Sequence, residues 1–329
     1  MGRIAGPPFS RYSPRVSGLT LLLAVSCLLV PGFAHAQGSV PDAPEPPRAR
    51  HTPGSIDPGG LVPNFRLNDH SGASRSLYYE TNARAIVLVC TAQGSPGAYR
   101  TAESLRRLRA RFPERDVVIW QVDSTPGASR STLAAEQTLH ENPIPVLLDE
   151  ARLVASELEI SHERETLVVS PAGRWQLVYR GPLDDAVDGG PATQHHAADA
   201  VAAVLAGRLP ALPHIDFSPR ARRLELPDAL IPDYAADIAP ILLARCVQCH
   251  ASGGIAPQSF TRYEDLVPRL PSLRASLVIK RMSPWHADPD FGVFANSLGI
   301  TPAETSTLHA WAKAGGPRGS GPDPRRRPA

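Results

Sequence analysis

Ala85-Ile86-Val87-Leu88-Val89-Cys90 is the stretch on which the fold turns. Six apolar residues without a polar break read as a strand buried on both faces, the kind that sits at the centre of a parallel or mixed sheet. Downstream, Leu105, Leu108 and Phe112 recur at helical spacing among arginines. Val117-Val118-Ile119-Trp120-Gln121-Val122 is a second buried strand. Leu133 to His140 reads as helix, Pro145-Val146-Leu147-Leu148 as a short extended segment, and Ala151 to Leu158 as helix again. Thr166-Leu167-Val168-Val169 and Gln176-Leu177-Val178-Tyr179 flank Ser170-Pro171-Ala172-Gly173, which has the composition of a hairpin turn. Ala197, Val201, Val204 and Leu205 form a last helical face, and Gly207 suits its C-terminal cap. Strands alternating with helices and closing on a hairpin predict an α/β sandwich around a mixed sheet over residues 59–208.

Beyond it, Leu209 to Pro232 holds five prolines and the Arg220-Arg222-Arg223 cluster. It reads as an interdomain linker, 209–232, whose arginines are solvated. From Asp233 the pattern is wholly helical, and a small all-α domain is expected over 233–318. Ile238, Ile241 and Leu242 share a face that runs into Cys246. Leu273, Leu277 and Val278 mark a middle helix. Thr301-Pro302-Ala303-Glu304 is a capping box with proline at the first helical position, followed by the apolar face Leu308, Trp311 and Ala312. The chain after Gly316 is rich in Pro, Gly and Arg and is expected to fray, with 319–329 as a disordered tail.

At the other end, Arg3, Arg11 and Arg15 precede the apolar run Val16 to Val30, and Ala34-His35-Ala36 has the form of a cleavage site. This is a secretory signal over 1–36, cleaved near Ala36, with a disordered linker over 37–58. The expected location is the periplasm, with no membrane span in the mature chain. The formal net charge is +2, so no nucleic-acid partner is implied. All basic residues but Lys280 and Lys313 are arginines, so a lysine-ringed docking face is absent.

The chemistry is concentrated in Cys246-Val247-Gln248-Cys249-His250. Cys-x-x-Cys-His is the attachment motif of c-type haem: thioethers from Cys246 and Cys249 anchor the porphyrin, and His250 is the proximal iron ligand. Met282 is the one methionine besides Met1 and is the candidate distal ligand, with His286 as the alternative. Pro257 is placed to offer a backbone carbonyl to the second nitrogen of His250. A zinc site made of Cys246, Cys249, His250 and His286 and a Cys246–Cys249 disulfide are the competing readings. Cys90 would then lack an intramolecular partner; it is either a buried core thiol or a reactive one. His195-His196 is a weaker metal candidate.

Residues 237–317 resemble small c-type cytochrome domains, and more closely the bacterial cytochrome modules found beside copper type II monooxygenase domains. The likeness lies in Asp237-Ile238-Ala239-Pro240-Ile241-Leu242, Gly254-Ile255-Ala256-Pro257 and Met282-Ser283-Pro284-Trp285-His286-Ala287-Asp288. It implies one covalent haem c on Cys246 and Cys249, His250 proximal and Met282 distal, with Trp285 near the porphyrin. Residues 61–207 resemble the redoxin (AhpC/TSA-type) branch of the thioredoxin superfamily. Here the likeness lies in Val62-Pro63-Asn64-Phe65-Arg66-Leu67, the Ile86 to Val89 strand and Gly181-Pro182-Leu183-Asp184-Asp185. The departure is the turn Gly94-Ser95-Pro96-Gly97-Ala98, with serine and alanine where redox-active relatives carry cysteines, and Arg164 at the place of a proline. Together these resemblances imply a thioredoxin-like sandwich lacking its redox cysteines, joined to a monohaem cytochrome c. Such a chain would transfer single electrons to a periplasmic oxidase, dehydrogenase or copper monooxygenase. The alternatives are a peroxiredoxin-like enzyme using Cys90, a haem peroxidase with an open distal site, or a haem-based gas sensor.

Overall fold

The computed structural model describes residues 56–186, 191–224, 230–282, 292, 294–295 and 297–321. The apolar run becomes β3 (Ala85–Thr91), the middle of a five-stranded sheet. It pairs in parallel with β4 (Val117–Asp123), which pairs in parallel with β5 (Val146–Leu148). On its other side β3 meets β6 (Glu165–Ser170) antiparallel, and β6 forms the expected hairpin with β7 (Gln176–Pro182). The order is β5-β4-β3-β6-β7, a mixed sheet. A two-stranded ribbon of β1 (Arg66–Asn68) and β2 (Ser74–Ser76) precedes it.

Alternation along β3 sorts its side chains between the two faces. Ala85, Val87 and Val89 share a core with Leu105, Leu108 and Phe112 of the first helical segment and Ala197 and Val201 of the last. Those helices are α1 (Ala98–Arg111) and α4 (His196–Leu205). Gly207 sits at φ +69°; its N–H reaches Val204 O and that of Arg208 reaches Ala203 O, the paired bonds of a Schellman cap. On the opposite face Ile86, Leu88 and Cys90 meet Phe65, Trp120 and Leu153. Leu153 begins α3 (Leu153–Glu157), and α2 (Arg130–Leu139) packs near β5 through Leu133.

The C-terminal helices belong to the same apolar cluster as this second face, which includes Tyr234, Leu242, Leu273, Leu308 and Trp311. After a short π turn, Tyr234–Ile238, come α5 (Ala239–Arg245), α6 (Tyr263–Leu266), α7 (Leu270–Val278) and α8 (Pro302–Lys313). The capping box forms as read: Thr301 Oγ1 accepts from Glu304 N at 3.1 Å, and Glu304 Oε2 accepts from Thr301 N at 2.8 Å. The expected fraying after Gly316 does not begin there. Trp311 Nε1 donates to Pro317 O at 2.9 Å, Tyr263 Oη donates to Gly316 O at 2.6 Å, and the Arg318 guanidinium lies 4.9 Å from the Tyr234 ring centroid. Aromatic side chains with polar tips hold this stretch against the bundle.

The segment read as a solvated linker lies against the sheet instead. Arg180 N donates to Pro213 O and Arg180 O accepts from Ile215 N, so 213–215 runs beside the outer edge of β7. Leu61 bridges to Gln176, and Gly59 and Gly60 pair with Leu177, closing the rest of that edge. At the opposite edge Asp69 bridges to Leu147 beside β5. Further on, Glu163 N donates to Arg222 O and Leu224 N to Ser161 O. Arg222 is not simply solvated: its Nε lies 2.7 Å from Glu163 Oε1. Prolines in a segment with few donors leave the remaining backbone groups free to cap edges. Among the described residues no helix is long and apolar enough to cross a membrane. The expected N-terminal signal and the expected linker before residue 56 lie outside the described residues.

Candidate functional site

The Cys-x-x-Cys-His motif begins where α5 ends. Cys246 caps the helix with its N–H on Leu242 O, and the chain then turns tightly: Cys249 N and His250 N both donate to Cys246 O, at 3.2 and 2.9 Å. Pro240 near the helix start and the buried anchors Ile238 and Leu242 aim the helix into this turn. Both motif cysteines are free thiols and half-buried. Burial, with a smaller contribution from the Glu304 charge, pushes the Cys246 thiol up to about 12, so it is a neutral thiol at physiological pH. The site is tied to α8 by Arg245 Nε, 3.1 Å from Glu304 Oε1. Glu304 therefore closes the α8 capping box and braces the motif at once.

His250 is buried, at 8% exposure. Its Nδ1 lies 2.8 Å from a backbone carbonyl, that of Gln258 rather than Pro257. The expectation misses by one residue because Ala256 N bonds back to Cys249 O and Phe260 N to His250 O, which sets the loop so that residue 258 faces the ring. A carbonyl can only accept, so Nδ1 carries the proton and the lone pair of the neutral ring sits on Nε2. Phe260 stacks on the imidazole, 4.2 Å between centroids and 4° from parallel. An imidazole held through Nδ1–H with a basic Nε2 is the arrangement that metal-ligating histidines adopt.

Those features fit covalent haem. Two free thiols and the His250 imidazole stand on one turn, and Leu243 and Ile255, which flank it, are exposed apolar side chains, 47% and 78% accessible. Among the described residues no three His, Cys, Asp or Glu side chains form a metal-holding group, and His286, the fourth ligand of the zinc alternative, lies outside them. Met282 is half-buried and follows the end of α7. Lys280 takes φ +49°, its N–H bonds to Leu277 O, and Arg281 N bonds to Ser276 O at 2.8 Å. This is a second Schellman cap, with lysine in the position that glycine usually fills. Trp285 and His286 lie outside the described residues.

In the first half, Cys90 is 3% exposed, in the core facing Trp120 and Leu153. Burial first, then the Glu165 charge, raises its thiol well above the ordinary value. Arg164 stands just before β6 at φ +62°, with its N–H on Cys90 O at 2.7 Å. Ahead of α1, Ser95 Oγ donates to Glu163 Oε2 at 2.5 Å. Ser95, Glu163, Thr91, Asp123, Glu136 and His140 line a small pocket. Burial lifts the Asp123 carboxyl to about 6, against the opposing hydrogen bonds from Thr125.

This geometry carries a family likeness. Residues 58–177 match the AhpC/TSA family. The matched segment is thus a thioredoxin-like redoxin domain built on a mixed sheet. The chain is also similar to solved structures. A hypothetical protein from Sinorhizobium meliloti is 18% identical, with a TM-score of 0.46, over 53% of this chain and 97% of that one. A conserved protein from Geobacillus kaustophilus is 22% identical, with a TM-score of 0.44, over 50% and 94%. The peroxidoxin BcpB of Mycobacterium tuberculosis is 21% identical, with a TM-score of 0.36, over 46% and 99%. No curated protein matches the chain.

Three groups that sequence reasoning passed over join the redoxin domain to the C-terminal helices. Glu157, at the end of α3, is 2.6 Å from His309 Nε2 on α8 and 2.6 Å from Arg274 Nη2 on α7. Burial pushes the Glu157 carboxyl up, but the hydrogen bonds and charges of His309 and Arg274 outweigh it and hold it at about 2. The signal was a carboxylate on the apolar face of a helix: Glu157 falls three and four residues after the buried Val154 and Leu153.

Proposed function

We propose that the protein is an exported monohaem c-type cytochrome that carries single electrons, with its redoxin domain serving as a redox-inactive scaffold. The observation that carries the reading is the His250 imidazole, locked by Gln258 O through Nδ1 and by Phe260 across its face, directly after two free thiols. Cys246 and Cys249 would hold haem c through thioethers, His250 Nε2 would ligate the iron, and Met282 would supply the sixth ligand, with His286 as the alternative. Haem c, when bound, supplies one-electron chemistry, and a thioether ligand raises its potential. The chain's own residues would hold the imidazole plane fixed, through Gln258 O on Nδ1 and Phe260 across the face, and shield it from water. The redoxin domain contributes no accessible thiolate, since Ser95 and Ala98 stand in its turn and the Cys90 thiol is buried and raised. The partner would be a separate periplasmic redox protein: an oxidase, a dehydrogenase or a copper monooxygenase.

The test is expression with a c-haem maturation system and visible spectra of the oxidised and reduced protein beside Met282→Ala. A covalent c-type spectrum with a sulfur–iron charge-transfer band that disappears in the variant is expected. A product without covalent haem would overturn the reading. Covalent haem indifferent to the variant would transfer the distal role to His286 or to an open site suited to peroxidase or sensor chemistry.

A further inference from the structure

The redoxin domain touches the C-terminal helices at a place that bears on Met282. Arg274 lies in the middle of α7, and Glu157 of α3 holds it through both Nε, at 3.2 Å, and Nη2, at 2.6 Å. The same carboxylate oxygen holds His309 of α8, and Lys313 of α8 donates to Ser156 O at 2.7 Å. At the opposite end of α3, Asp149 caps the helix, its oxygens accepting from Val154 N and Ala155 N at 3.2 and 2.9 Å. The Glu157 end of α3 is thus the one tied to α7 by hydrogen bonds. The last turn of α7 is closed by the Lys280 Schellman cap, and Met282 is two residues beyond. Glu157 is 7% exposed in its side chain and His309 4%, so the clamp is a desolvated one that fixes geometry rather than a rim contact.

We propose that α3 of the redoxin domain is the clamp that positions Met282 as distal ligand, with Glu157 as the positioning residue. This rests on the haem reading above. The redox-inactive redoxin domain then acts as a buttress for the helix that delivers the sixth ligand. Glu157 touches neither haem nor ligand and acts only through Arg274 and α7.

The experiment uses the full-length haem-loaded protein. Ferric wild type, Glu157→Gln and Arg274→Gln are titrated with imidazole, which competes with Met282 for the iron, while covalent haem content and far-ultraviolet dichroism are followed in the same samples. Loosening the clamp raises the share of molecules with Met282 dissociated, so imidazole binds more tightly in proportion. Both variants should bind imidazole about tenfold more tightly, with equal haem content and a weakened sulfur–iron band. Arg274→Gln keeps the Glu157–His309 pair and decides the matter if Glu157→Gln does not fold. Imidazole affinities within about twofold of wild type would overturn the proposal. Covalent haem in the wild type whose spectrum ignores Met282→Ala would overturn it alone; absence of covalent haem would overturn the underlying reading as well.

Discussion

Replacing Glu157 by glutamine removes one negative charge from the junction between the redoxin domain and the C-terminal helices while keeping the side-chain shape. The wild-type carboxyl is held at about 2 against an ordinary 4.5. At about 1.4 kcal/mol for each tenfold change, the difference is worth about 3 kcal/mol of folded-state stability. Because the folded value is depressed, that stability is fully present above pH 4.5 and is lost as the pH falls toward 2. Urea unfolding of the full chain at pH 7 and again near pH 2.5 measures it. At pH 7 the variant should be less stable by about 3 kcal/mol, a large part of what a domain possesses. Near pH 2.5 the two unfolding curves should approach each other, since most of the pH-dependent stability has by then been lost. A gap at pH 7 below about 1 kcal/mol, or one that persists unchanged at low pH, would refute the assignment of Glu157 as a buried, doubly held carboxylate.

Lys280→Gly replaces a left-handed lysine with the residue that position favours, and should raise stability by up to about 1 kcal/mol, read as a higher melting temperature. A drop would mean that the lysine side chain contributes more to the folded state than the left-handed backbone costs. In the haem-free native protein a thiol reagent should modify the half-buried Cys249 first, Cys246 more slowly because burial raises its thiol, and spare Cys90, as peptide mapping by mass spectrometry would show. Rapid labelling of Cys90 would reopen a peroxide-reducing role for the redoxin domain.

Much of the architecture is legible in local patterns, because the relevant physics is local. The run from Ala85 to Cys90 needs only its own composition to be a buried strand, and Thr301-Pro302-Ala303-Glu304 carries its cap within four residues. Gly207 likewise announces its turn. The short β1–β2 ribbon escapes because three-residue strands such as Arg66-Leu67-Asn68 show too few alternations to be told from loop. The His250 site is legible as chemistry but not in its last detail. Which carbonyl meets Nδ1 depends on how the chain closes between Cys249 and Phe260, and Gln258 wins over Pro257 by that closure. The Glu157–His309 contact spans 152 positions. No periodicity encodes such a pairing; only the oddity of a carboxylate on an apolar face hints at it.

The covered sheet edges have a consequence for how this molecule meets others. The outer side of β7 is taken by Gly59–Leu61 and by Pro213–Ile215, and β5 is flanked by the Asp69 bridge. A row of unsatisfied backbone groups is what invites a foreign strand to add itself, whether a partner's peptide or a misfolded copy. With those positions filled by its own chain, the two ends of the five-stranded sheet are guarded against β-augmentation and edge-to-edge aggregation, and a partner that docks there must be recognised through side chains.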